Sequence, residues 1–68
     1  MSVLVVDRDG SEWVWNYRPL RNKHRGRWES PYSEEGEYQS VELPNGSIEK
    51  LIGRILTWGD EPYEMGDR

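Results

Sequence analysis

Val3 to Tyr17 reads V-L-V-V-D-R-D-G-S-E-W-V-W-N-Y. A short apolar run, a turn and an alternating aromatic run follow one another, which is the signature of a β-hairpin. Val3–Val6 is the expected first strand. Asp7-Arg8-Asp9-Gly10 is the expected turn, because an Asp-Gly pair supplies the positive φ that tight hairpins require. Glu12 to Tyr17 is the expected second strand. Side chains alternate along a strand, so Trp13, Trp15 and Tyr17 share one face and Glu12, Val14 and Asn16 the other. Pro19 then limits the pairing, since it has no N–H to donate.

Working outward, residues 21–26 read as an exposed loop. Arg27 to Tyr32 reads as a short third strand cut by Pro31, residues 33–36 as a turn, and Glu37 to Leu43 as a fourth strand. Pro44-Asn45-Gly46 is a second clear turn. Ser47 can cap a helix start through its hydroxyl oxygen. Ile48, Leu51, Ile52 and Ile55 follow at the spacing of one apolar helix face, which predicts that all four are core. Gly53 can end the helix in a left-handed conformation. Arg54 to Trp58 reads as a final strand or extended segment, stopped by Gly59-Asp60-Glu61-Pro62. The expected fold is α+β: a small antiparallel β-sheet of three to five strands with one short helix at about residues 47–53. A single domain is expected over residues 1–64, with a frayed acidic tail at 65–68.

The composition agrees. The chain has 68 residues and contains no alanine, four Trp and four Tyr, which favours strands. Only 34% of residues are apolar, so the core must be small. A domain of this size buries about 60% of its unfolded surface, and a homodimer is the expected remedy. There is no cysteine. Disulfides, thiol nucleophiles and thiolate metal sites are therefore excluded, and a reducing cytoplasm is the expected compartment. The longest apolar run, Val3 to Val6, is too short for a signal h-region or a membrane span.

Charge is segregated. Residues 18–27 (R-P-L-R-N-K-H-R-G-R) hold five of the nine Lys and Arg residues and the only histidine, with no acidic residue. The next segment, Glu29 to Glu42, holds five glutamates and no Lys or Arg. Net charge is −4, so general attraction to nucleic acid or anionic lipid is disfavoured, and only the local basic patch can reverse it.

These residues support binding more than catalysis. His24 lies in a cationic run without a carboxylate to orient it, and no serine sits in a G-x-S-x-G context. One His and no Cys exclude the usual zinc sites. The turn residues Asp7, Asp9 and Glu12 lack the ligand pattern of a calcium loop. No metal, cofactor or catalytic residue is expected. Two groups remain as binding candidates. Arg18, Arg21, Lys23, Arg25 and Arg27 can grip phosphates, with Trp28 and Tyr32, or one face of W-V-W-N-Y, stacking bases beside them. The bland alternative is a solvated loop neutralised by Glu34, Glu35 and Glu37. Trp13, Trp15 and Tyr17 form either core or an aromatic cleft. If Val14 faces the helix, the aromatic face needs other cover: the basic loop, a second subunit or a ligand.

The C-terminal run E-L-P-N-G-S-I-E-K-L-I-G-R-I-L-T-W-G-D-E-P-Y-E-M resembles the ending of small uncharacterised proteins encoded by bacteriophages and prophages. The likeness covers about a third of the chain and is one of turns and apolar positions; it implies a phage origin and no catalytic residues. The expected function is a non-enzymatic binding protein, phage-encoded, that occludes a host protein or sequesters a ligand in the host cytoplasm. A small nucleic-acid binder using the basic loop, and a protein that captures a nucleotide signal, are the alternatives.

Overall fold

The computed structural model describes residues 2–32 and 39–66. Among them the expected hairpin forms the centre of the molecule. β1 (Ser2–Val6) pairs antiparallel with β2 (Glu12–Trp15), setting Val3 opposite Trp15 and Val5 opposite Trp13. β3 (Leu20–Asn22) and β4 (Arg27–Glu29) make a separate two-stranded hairpin. β5 (Ser40–Leu43) adds to β2, α1 spans Ser47–Ile52, and β6 (Tyr63–Met65) adds to the far side of β1. The sheet order is β5-β2-β1-β6, all antiparallel. The fold is α+β.

Several boundaries differ from the expectation. The described residues form a four-stranded antiparallel sheet, within the expected three to five, and beside it a second, two-stranded sheet that was not expected. Residues 20–22, expected in the exposed loop or just before it, are β3. Arg54 to Trp58 forms no strand; the last strand comes later, and Met65, expected in the frayed tail, pairs with Ser2. The expected turn at 33–36 and the start of the fourth strand at Glu37 and Tyr38 lie outside the described residues.

Because β1 is central, it is buried on both faces, with Val3, Leu4, Val5 and Val6 at most 6% exposed. Alternation then sorts the chain into two layers. Leu4, Val6 and Val14 meet Ile48, Ile52 and Leu56 on the helix side. Val3 and Val5 meet Trp15, Trp28, Trp13, Tyr17 and Trp58 on the other. The aromatic face is thus largely core, and its cover is the β3–β4 hairpin, which contains the basic loop.

The helix is shorter on its apolar side than its spacing implied. Ile48 is 1% exposed and Ile52 half-buried, but Leu51 and Ile55 are 57% and 67% exposed. Leu51 lies inside α1 on its exposed side, since the helix sets Ile48 and Ile52 toward the sheet; Ile55 is lost to the core because Gly53, at φ 80°, ends α1 after Ile52. Residues beyond it leave the helical period, so Leu56 enters the core in place of Ile55. The expected Ser47 cap is also replaced. The Ser47 hydroxyl donates to Pro44 O at 2.6 Å. The carboxylate of Glu12, on β2, instead accepts from Gly46 N at 2.7 Å and Ile48 N at 2.9 Å. A strand residue satisfies the orphan donors of the first helical turn and complements its dipole.

Candidate functional site

The site is built where the β3–β4 hairpin docks on the aromatic face of β2. Trp28 on β4 fixes that docking. Its indole Nε1 donates to Val6 O at 3.0 Å in the interior, and its backbone N donates to Asp7 Oδ1 at 3.0 Å. The Asp7 carboxylate also accepts from the Ser11 hydroxyl at 3.3 Å. Burial raises the Asp7 pKa, and the Trp28 N–H bond only partly offsets this.

Arg21 locks the same hairpin to the C-terminal half. Its Nη2 donates to Trp58 O and Asp60 O, both at 2.8 Å. Its guanidinium lies 4.6 Å from the Trp28 ring centre and 5.1 Å from that of Trp58. The two indoles meet edge-on at 5.8 Å. Arg8 approaches Trp58 from the β1–β2 turn, 5.7 Å from the ring centre, and bonds to Lys23 O. Gly26 closes the hairpin turn at φ 72°, and a Cβ there would fall 2.9 Å from the Arg8 guanidinium carbon. The positive φ favours glycine at that turn, while the crowding is with the far end of a flexible side chain that can shift.

The structure therefore disperses the expected phosphate grip. Arg18 pairs with Glu61 at 3.2 Å and Glu64 at 3.3 Å. Arg25 and Arg27 both face Glu29, at 3.7 and 2.9 Å. Arg21 is spent on carbonyls and indoles. Lys23 and His24 are exposed at the hairpin tip. The Glu29 carboxyl is held below its ordinary pKa by the Asn22 side-chain amide, and then by Arg27 and Arg25. Among the described residues, the acidic partners of the basic loop are thus Glu29, Glu61 and Glu64. Glu34, Glu35 and Glu37 lie outside those residues.

What remains open is a cleft of about 310 Å³ beside the docked hairpin, lined by Trp13, Trp15 and Trp28 and by Asp7, Arg27, Glu29, Ser30 and Ser40. Tyr17 stands behind it, its hydroxyl 2.8 Å from Ser30 Oγ. A second open groove of about 530 Å³ shares Asp7, Trp13 and Arg27 with it and continues toward Asp9 and Glu42. Trp15 is 8% exposed, and its indole Nε1 has no hydrogen-bond partner among the described residues. A buried donor left unpaired costs roughly 1–3 kcal/mol, so this one is a feature that requires an account.

Of the residues singled out in the sequence, Trp13, Trp15, Trp28 and Arg27 come together at the cleft. Tyr17 supports it, Arg25 lines the neighbouring groove, and Arg18 and Arg21 serve elsewhere. Asp7, Glu29, Ser30 and Ser40 were not singled out. They belong to three separate segments, and only the docking of β4 and the addition of β5 assemble them. His24, the lone imidazole, lines neither opening.

Compared with known proteins, the chain matches no family model, no curated protein and no solved structure. No helix among the described residues is long and apolar enough to cross a membrane.

Proposed function

We propose that this chain is a non-enzymatic binding domain that captures a ligand in the aromatic cleft between β2 and the β3–β4 hairpin. The observation that carries the reading is an open cleft of about 310 Å³ in which Trp13, Trp15 and Trp28 are joined by a few polar side chains. A pocket of about 300 Å³ with apolar walls and a few polar groups is the ordinary form of a small-ligand site. The phage-like C-terminal pattern fits a protein that works in a host cell by sequestration. Sequestration needs a site and no chemistry.

The nucleic-acid reading has less support. Backbone binding needs cations that can release counterions to phosphate. Here Arg18, Arg25 and Arg27 are paired with carboxylates and Arg21 is held by carbonyls.

Native mass spectrometry tests the capture reading. The protein is incubated with a bacterial small-molecule extract and compared with Ser40→Trp, which fills the cleft mouth. A mass adduct retained by the parent and lost in the variant is expected. An adduct retained equally by both places the ligand elsewhere and overturns the reading, as does the absence of any adduct.

A further inference from the structure

The four-stranded sheet ends on two edge strands, β5 and β6, and they are built differently. An exposed edge is a template for pairing with another chain unless it is very short, charged or broken by proline. β6 is three residues long, follows directly on Pro62, and carries Glu64, which Arg18 holds together with Glu61. β5 is a four-residue strand without lysine or proline, and its apolar Val41 is 58% exposed.

The register of β5 fixes which of its backbone groups face outward. Asn16 N donates to Gln39 O at 3.0 Å, and on the same register Val14 stands opposite Val41 and Glu12 opposite Leu43. Antiparallel pairs alternate between bonded and non-bonded, so Gln39, Val41 and Leu43 bond to β2. The N–H and C=O of Ser40 and Glu42 therefore point away from the sheet, and no described residue bonds to them.

This edge is complementary to itself in one antiparallel register. Centring the pair on Glu42 sets like charges opposite each other and brings in Pro44, which has no N–H. Centring it on Ser40 leaves Glu42 without a described residue opposite. Centring it on Val41 sets Ser40 opposite the partner's Glu42, and Glu42 opposite the partner's Ser40. Both are outward-facing pairs, so each exchanges two backbone bonds. Ser40 and Glu42 stand opposite Trp15 and Trp13, so on the aromatic side a hydroxyl meets a carboxylate across the pair. Val41 shares the helix side with Val14, and there it meets its own copy on the two-fold axis.

We propose that the β5 edge is a self-association surface, at which two copies of this chain pair antiparallel about Val41 and join their four-stranded sheets into one. Pairing there requires no ligand. Ser40 lines the aromatic cleft and Glu42 the neighbouring groove, so each cleft abuts the partner's groove across the axis. An isologous contact of two short strands buries little area, so association is weak, with Kd on the order of 100 µM.

The chain has no cysteine, so one introduced thiol reports on the axis. In a non-bonded antiparallel pair the Cα atoms lie about 4.5 Å apart, within reach of a disulfide. Val41→Cys is incubated in a glutathione redox buffer beside Leu51→Cys and Ile55→Cys, whose positions are 57% and 67% exposed. Val41→Cys should form a covalent dimer several-fold faster than either control. Sedimentation of the unmodified chain should show a reversible monomer–dimer equilibrium. Glu42→Pro removes an outward N–H and leaves the bonds to β2 in place, and should weaken that equilibrium about tenfold or more. Should Glu42→Pro fold poorly, amide exchange of the parent replaces it: raising the protein concentration should slow exchange at Ser40 and Glu42 far more than along β6. Monomer mass at every concentration up to about 1 mM overturns the assignment. So does a dimer whose Val41→Cys form crosslinks no faster than the controls, which moves the contact to another face. A dimer unaffected by Glu42→Pro, or exchange at Ser40 and Glu42 that ignores concentration, overturns it as well.

Discussion

The backbone N–H of Trp28 donates to the carboxylate of Asp7, which stands at the end of the central strand pair. With the Trp28 indole bond to Val6 O, this bond ties the second sheet to the first, and its acceptor is a partly buried titratable group.

Asp7→Asn tests the cost of that burial. Burial raises the folded pKa of Asp7 above its usual 3.8, so ionisation of the folded protein is penalised. The stability contribution is fully present below the unfolded value and is lost as pH rises through the folded one. Asparagine keeps an oxygen for the Trp28 N–H and never ionises. The variant should be at least as stable as the parent at neutral pH, and the two should converge at about pH 3, below the ordinary carboxylate range. Denaturant midpoints across pH measure this. A variant that is weaker at neutral pH shows that the charged hydrogen bond outweighs the burial. Asp9 is held low by the Ser11 backbone N–H, and Glu29 by the Asn22 amide. Both act in the opposite direction, and their contributions are lost on acidification through their lowered values.

Arg21 and Lys23 are neighbours in the basic loop, and substituting them should have different consequences. Arg21→Ala removes bonds to two carbonyls and the contact with Trp28 and Trp58. The expected loss is roughly 1.5–3 kcal/mol, the range for charge-assisted bonds. Lys23→Ser, at the exposed tip, should stay within about 0.5 kcal/mol of the parent. Chemical denaturation of the two single variants is the check. Equal, small effects would show that the Arg21 clamp does not hold in solution.

The apolar helix positions should divide in the same way. Ile48→Ala should cost about 2–5 kcal/mol, because Ile48 is fully packed between α1 and the sheet. Leu51→Ala should cost well under 1 kcal/mol, since Leu51 is exposed. A large loss at Leu51 in thermal melts would place a partner, or a second copy, over that side.

Glu12→Ala should unfasten the helix start. It removes the acceptor for Gly46 N and Ile48 N, and losing a cap costs about 0.5–2 kcal/mol. Ser47→Ala should do less, because its hydroxyl bonds Pro44 O and no helical N–H. Reversal of that order in unfolding midpoints would return the capping role to Ser47.

The local elements were legible because local rules govern them. The Val3–Tyr17 pattern contains its own turn, and alternation alone placed Trp13, Trp15 and Tyr17 on the face opposite Val14. Gly53 ended the helix as its freedom at positive φ predicts. The same glycine hid a consequence. A helical period extrapolated past it counted Ile55 as core, whereas the chain beyond the cap turns Leu56 inward; Leu51, inside the helix, is exposed because α1 sets Ile48 and Ile52 toward the sheet.

The sequence by itself determined that this is a small α+β protein centred on one hairpin, with an aromatic layer on one side of the sheet and an aliphatic one on the other. Only the tertiary structure decided what the charges and aromatics do. Arg21 reaches across 37 residues to Trp58, Arg18 across 46 to Glu64, and Glu12 across 36 to Ile48. Such bonds carry no periodic signal, since they depend on where separate segments dock. The basic run looked like a phosphate grip because its partners stand elsewhere in the chain. The cleft depends on the same docking, because Asp7, Trp15, Glu29 and Ser40 converge only when β4 packs on β2 and β5 pairs with it.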